Sequence, residues 1–245
     1  MAAPALLLLH GLGATPGVWA ELIDELNWDG PVWAPALAGH GDAAWTGDYT
    51  VGSLAAGVSA NYQPADAAEQ VIVVGHSLGG GVATCLASGL FRPCVAGVAA
   101  IGVKVAWTDA DVTGMAKVAA KGVRTFDSRD EAVERFLLQA GLAGLVDTTH
   151  PSVTDAVVEE DGAWRVAQDP ATFAQRALDM PTLLAAARCP VILGAGTEDP
   201  IVTEADLAAL TSNPRMAPGR GHNVQIEEPA WVAQLVRELA DGSAD

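Results

Sequence analysis

The sequence predicts one α/β domain on a mostly parallel sheet of about six strands, with a helical insertion. Three observations lead there. Short continuous apolar runs alternate with stretches of helical periodicity in both outer parts of the chain, as in parallel strands covered on both faces by helices. Between residues 104 and 187 the alternation stops. At 245 residues, half of them apolar and 18% charged, the chain is long enough to bury one large core. Residues 1–103 and 188–245 are expected to form that core, and 104–187 a helical insertion.

The first run, Ala5–Leu9, reads as a buried strand ending at His10-Gly11. Val18, Trp19, Leu22, Ile23 and Leu26 then recur at helical spacing, and Pro16 suits a first helical turn. Residues 31–34 form a second strand, leading into the loop Ala38-Gly39-His40-Gly41, and 51–58 a helix. The run 71–74 is the central strand, followed by a helix over 78–90 and another buried strand over 95–103. Within the insertion, helical patterns cover 111–121, 129–139 and 170–178, with His150-Pro151 and Asp161-Gly162 as punctuation and no convincing buried strand. A strand over 190–193, a helix over 204–210, a last strand over 215–217 and an amphipathic helix over 230–240 complete the pattern.

Thirteen basic against thirty acidic residues give a formal charge of −17, which repels nucleic acid and anionic membrane, so neither is expected as a partner; the charge does not identify a substrate. Acids such as Glu21, Asp24, Glu204 and Asp206 sit near helix starts, where they suit the helix dipole. The N-terminal apolar run lacks a basic flank and is too short for a signal peptide or a span, so a cytoplasmic location is expected. Cys85, Cys94 and Cys189 show no C-x-x-C spacing and are expected as buried free thiols. No histidine–carboxylate cluster has metal-ligand spacing, so neither a metal nor an organic cofactor is expected.

Gly75-His76-Ser77-Leu78-Gly79 fits G-x-S-x-G at a strand-to-helix junction. The turn there is so tight that the flanking positions need glycine, and it lifts the serine hydroxyl above the sheet at a helix N-terminus. A serine is a poor nucleophile until a base takes its proton. Of the five histidines, His76 adjoins the serine but should point away, His40 suits a turn or the core, and His150 suits the surface. His10 ends the first strand. His222, in the loop Gly219-Arg220-Gly221-His222 before the last helix, is the favoured base. The imidazole needs an orienting carboxylate. Asp199, after the strand over 190–193 and held by Pro200, is preferred, with Glu198 and Asp109 as alternatives. The amides of Leu78 and, from His10-Gly11-Leu12-Gly13, of Leu12 are positioned to serve as an oxyanion hole.

Together these motifs resemble the α/β-hydrolase superfamily over nearly the whole chain: His10-Gly11 after the first strand, Gly39-His40-Gly41 after the next, the elbow at Ser77, then Asp199 and His222 in the order Ser, Asp, His. The resemblance implies Ser77 as nucleophile, Asp199 as acid, His222 as base, Leu12 and Leu78 as oxyanion-hole donors, and a cap within 104–187. With His10-Gly11 so early, the two N-terminal strands common in the superfamily are not expected. The early start is similar to plant-type methylesterases and hydroxynitrile lyases, but the lyases carry a lysine after the catalytic histidine, where this chain has Asn223. Ser77 also stands where haloalkane dehalogenases and epoxide hydrolases carry aspartate. The implied activity is hydrolysis of a carboxylic ester of small to medium, apolar character through an acyl-enzyme. Carbon–carbon bond hydrolases, cofactor-free haloperoxidases, acyltransferases and non-catalytic binding proteins of this fold share the same residues and stay open. From the insertion, Trp107, Met115, Phe126, Phe136 and Leu137 are the expected pocket lining.

Overall fold

The structure is a computed structural model that describes residues 3–62, 70–174 and 177–242. In chain order its elements are β1 (Ala5–Leu9), α1 (Ala20–Leu26), β2 (Val32–Trp33), α2 (Val51–Asn61), β3 (Val71–His76), α3 (Leu78–Leu86), β4 (Val95–Ile101), α4 (Asp109–Ala119) and β5 (Thr125–Phe126). They continue with α5 (Arg129–Gln139), β6 (Val157–Glu160), β7 (Ala163–Val166), α6 (Met180–Ala186), β8 (Val191–Gly196), α7 (Glu204–Ala208), β9 (Arg215–Ala217), α8 (Val224–Glu227) and α9 (Pro229–Ala240). Short 3-10 turns occupy Pro16–Trp19, Pro151–Val153 and Pro170–Phe173.

Six strands form the main sheet in the order β2-β1-β3-β4-β8-β9, every pair parallel. The two-residue period of a strand explains why its central members read as unbroken apolar runs. Leu6, Leu8, Ile72 and Val74 point into one core layer with Trp19, Leu22, Val232 and Val236 from the helices on that side. Leu7, Leu9, Val71 and Val73 point into the other with Leu54, Val58, Val82 and Leu86. With both faces covered, no position on these strands can be polar without burial cost.

The insertion departs from the helical expectation. It carries a small antiparallel sheet, β5-β7-β6. Asp161 and Gly162, first read as punctuation, are the two central residues of a tight hairpin, both with positive φ (52° and 79°), a conformation that Asp-Gly tolerates well. The hairpin strands are exposed or half-buried, so they lack the apolar run that marks the main strands. The helix expected over 170–178 reduces to the turn Pro170–Phe173. Residues 175–176 lie outside the described residues, and α6 starts only at Met180.

Smaller expectations also change. The helix over 78–90 stops at Leu86, and Gly89 follows with φ +72°. The thiols are not buried: Cys94 is exposed, and Cys85 and Cys189 are half-buried. His150 is not on the surface, because its ring packs between cap and core. Among the described residues, no helix is long and apolar enough to cross a membrane.

Candidate active site

β3 delivers Ser77 to the N-terminus of α3 with φ 51° and ψ −115°, left-handed backbone that a non-glycine residue adopts only under constraint. The constraint is the crowding around it. A Cβ on Gly75 would stand 2.3 Å from the carbonyl oxygen of Gly79, and one on Gly79 would stand 2.1 Å from that of Leu9. The Ser77 amide is tied to the Ile101 carbonyl at 2.7 Å, and the Ser77 carbonyl accepts from Gly80 at 3.0 Å, so the strained turn is held from both sides.

His222 lies on the loop between β9 and α8, and Asp199 follows β8. The His222 Nδ1–H donates to Asp199 Oδ2 at 2.8 Å, which leaves Nε2 as the free ring nitrogen. The Asp199 carboxylate is fully buried, and its other oxygen accepts from the amides of Ile201 (2.8 Å) and Val202 (3.2 Å). These amides and the His222 ring satisfy a carboxylate that burial has removed from solvent. Glu198 and Asp109, the alternatives, are both exposed, Asp109 on the first turn of α4.

Two loops must meet for this pairing, and backbone contacts bring them together. Thr197 N donates to Ala217 O at 3.0 Å, Glu198 N to Arg220 O at 2.8 Å, and Gly219 N to Thr197 Oγ1 at 2.8 Å. A Cβ on Gly196 would stand 2.0 Å from the Arg220 carbonyl oxygen, so the loops approach this closely only over glycine. Glu227 Oε2 accepts from Gly221 N at 2.8 Å and closes the loop below the ring.

Ser77 and His222 line one cavity of about 310 Å³. No hydrogen bond joins the hydroxyl to the ring in this structure. In the absence of substrate such bonds are commonly long and tighten in the complex. The amides of Leu12 and Leu78 have no acceptor among the described residues, and both residues border the same cavity as Ser77. The β1–α1 loop that carries Leu12 is anchored by His10, whose Nε2 accepts from Leu37 N (3.0 Å) and whose Nδ1–H donates to Gly11 O (2.9 Å).

His76 borders the same cavity as Ser77, and it has a task the sequence did not reveal. Its Nε2–H donates to the His222 carbonyl at 2.9 Å, and its ring lies 4.7 Å from the His222 ring. Burial, the neighbouring His222 and His10 keep His76 neutral by pushing its pKa well below the usual histidine range. Burial likewise lowers His10 to about 3, with His40 adding to the effect, and lowers His40 to about 4.

Of the expected lining residues, Trp107 and Met115 face the cavity. Phe136 and Leu137 do not: with Ala132 and Val133 they form the face of α5 that packs into the core. At 100° per residue Leu138 turns away from that face and Gln139 lies at its edge, and these two residues at the end of α5 border the cavity instead. Phe126 also lies elsewhere, in the cap sheet with Arg124 over its ring at 4.8 Å. Val51, Phe173, Leu178 and Ile201 complete much of the apolar wall. They come from four separate segments, so no local pattern announces them. Asn223 points away from the cavity and donates to Gly141 O at 3.0 Å, joining the His222 loop to the cap. Among the described residues, no group of three or more His, Cys, Asp or Glu side chains could hold a metal ion.

Comparison with known proteins agrees with this architecture. An uncharacterized protein of Mycobacterium tuberculosis is 42% identical over 81 residues, 33% of this chain and 24% of that protein. A pimeloyl-[acyl-carrier protein] methyl ester esterase of Neisseria meningitidis is 38% identical over 82 residues, 33% of this chain and 30% of that one. The aligned stretches thus span less than a third of these curated relatives. Among solved structures, an esterase of M. tuberculosis aligns with a TM-score of 0.76 at 24% identity, over 98% of this chain and 84% of that one. E-2-(acetamidomethylene)succinate hydrolase aligns with a TM-score of 0.78 at 20% identity, over 97% and 91%. The model of the alpha/beta hydrolase family matches residues 6–235. With that match spanning the sheet, the elbow and both loops that meet at His222, the chain belongs to the alpha/beta hydrolase family.

Proposed function

We propose that this protein is a serine hydrolase that cleaves a carboxylic ester through an acyl-enzyme, with Ser77 as nucleophile, His222 as general base and Asp199 as the orienting carboxylate. The observation that carries the reading is the opening of one cavity onto a serine on a strained turn and onto an imidazole held by a buried carboxylate. His222 Nε2 takes the Ser77 proton as Oγ attacks the substrate carbonyl. The Leu12 and Leu78 amides receive the developing oxyanion, and His222 then protonates the leaving alcohol. Water, deprotonated by the same ring, releases the acid and restores the serine.

Asp199 stabilises the imidazolium that forms in both halves of the reaction and holds its tautomer. The apolar wall of Leu12, Val51, Leu78, Met115, Leu178 and Ile201 suits a medium-sized hydrocarbon group next to the ester. The esterases among the relatives support the same reading.

A fluorophosphonate probe should label the wild type and leave Ser77→Ala unlabelled. p-Nitrophenyl esters of short to medium chain should be hydrolysed by the wild type and not by the variant. Equal labelling of the two proteins, or ester turnover that survives the substitution, would remove Ser77 from the mechanism.

A further inference from the structure

Beside the cavity that holds Ser77 lies a second one of about 540 Å³, open to solvent on one side. Gln139 and Phe173 line both, so the two cavities share a partition of two side chains. Their characters differ. The first is walled mainly by hydrocarbon. The second is lined by Lys121, Arg124 and Arg135 and, among the described residues, by no aspartate or glutamate.

In a chain with 30 acids and only 13 bases, three bases on one cavity with no acid is a pronounced local reversal of charge. Nor are these bases used in ion pairs. Lys104, Arg165, Arg215 and Arg220 each lie within 4 Å of a carboxylate oxygen. Lys121, Arg124 and the half-buried Arg135 have no such partner among the described residues. Arg124 and Arg135 also border a more open groove on their other side, which Asp127, Glu131 and Glu134 line with them.

The cavity is also partly organised before any ligand arrives. The Arg124 guanidinium lies over the Phe126 ring, its central carbon 4.8 Å from the ring centroid. Gln139 Nε2 donates to Gln168 Oε1, and Gln168 Nε2 donates to Thr172 Oγ1 at 2.6 Å, so the amides beside the partition are paired with each other. A guanidinium held in this way suits the two oxygens of a carboxylate or phosphate.

We infer that the second cavity receives an anionic group, carboxylate or phosphate, at the far end of the molecule whose ester bond lies at Ser77. This rests on the hydrolase reading above and narrows it: the substrate is an ester with a hydrocarbon middle and a charged end. The hydrocarbon occupies the apolar cavity, passes Gln139 and Phe173, and leaves its charge among Lys121, Arg124 and Arg135.

The test compares p-nitrophenyl esters in matched pairs, each neutral straight-chain acyl group against the ω-carboxylate of the same length. The same comparison is made with the carboxylate on the alcohol side of a butyrate ester. The quantity read is the ratio of kcat/KM, anionic over neutral, at low salt. At one chain length or more, the wild-type ratio should exceed ten, the tenfold step that about 1.4 kcal/mol represents. It should fall toward one in Arg135→Gln and in the loop double variant Lys121→Gln/Arg124→Gln, and also as ionic strength rises.

A wild-type ratio at or below one across the series, or a high ratio that both variants keep, overturns the assignment. So does a preference that appears only when the acyl group is borne on an acidic protein carrier, because the charge would then be read outside the cavity. If no ester is turned over and Ser77 is not labelled, the hydrolase reading has failed instead. Calorimetric binding of suberate to the wild type and to Arg135→Gln then decides the cavity by itself. Tighter binding to the wild type supports it, and equal or absent binding overturns it.

Discussion

At the scale of single residues, the site depends on burial and close approach more than on residue type. The chain offers three acids at plausible loop positions, Asp109, Glu198 and Asp199, and only Asp199 is buried against an imidazole. Asp199→Asn should lower kcat for a p-nitrophenyl ester by about 10³- to 10⁴-fold, because the imidazolium loses its counter-charge and its tautomer. Asp109→Asn should leave kcat within about twofold, and near-normal activity in Asp199→Asn would refute the assignment. Gly196 is a less visible requirement. An added methyl would meet the Arg220 carbonyl, so Gly196→Ala must push apart the loops that carry Asp199 and His222. A loss of activity is expected together with a destabilisation of about 1–3 kcal/mol, read from urea unfolding.

At the scale of elements, the question is how the cap is held over the site. One latch is polar. His150 Nε2–H donates to Glu21 on α1 at 2.6 Å, its Nδ1 accepts from Ser152 N at 3.1 Å, and Thr15 Oγ1 donates to Ser152 O at 2.7 Å. Serine, histidine and glutamate stand in series here as in a catalytic relay, yet Ser152 is completely buried and has no chemistry to reach. The cluster therefore serves attachment. His150→Ala should cost about 1–3 kcal/mol in urea unfolding, since it leaves buried partners unsatisfied. A cost under about 0.5 kcal/mol would show that the cap is held by apolar packing alone. The cap helices differ in anchorage. α5 buries Ala132, Val133, Phe136 and Leu137, whereas α4 buries no residue completely, although its Met115 faces the cavity that Ser77 lines. Amide exchange should therefore be faster in α4 than in α5, and slower exchange in α4 would contradict the packing argument.

At the scale of the whole molecule, three neutral imidazoles lie inside a strongly acidic protein. Burial lowers His10 to about 3 and His40 to about 4, and pushes His76 well down as well. In the unfolded chain all three take up protons near pH 6.5, while the folded rings stay neutral until far lower pH. As pH falls the unfolded state is thus the first to gain protons. Stability is fully present above about pH 6.5 and is lost below it, at up to about 1.4 kcal/mol per pH unit for each ring. Repulsion within the −17 surface eases as pH approaches the isoelectric point near 4.4, so the net slope is smaller than the sum. Urea midpoints should be level from pH 8 to 7 and fall between pH 6 and 4.5. A midpoint that holds or rises over the acid range would show that the rings are protonated in the folded state.

Much of the framework was legible in the chain, because strand and helix periods are local and depend on which faces are covered. The two-faced strands, the elbow at Ser77 and the loop position of His222 needed only neighbouring residues to be recognised. The cap was less legible. Its hairpin strands are too exposed to carry an apolar run, and the Asp161-Gly162 turn looks like any other break. The aromatic ring of Phe136 suggests a pocket wall, but it packs into the core, and Leu138 and Gln139 at the end of α5 border the cavity instead. By itself the sequence determined the fold class, the strained serine and the candidates for its partners. Only the tertiary structure decided which carboxylate meets His222, that His76 supports the His222 backbone, and which side chains wall the two cavities. Those outcomes depend on contacts between segments distant in sequence, and no local pattern encodes such contacts.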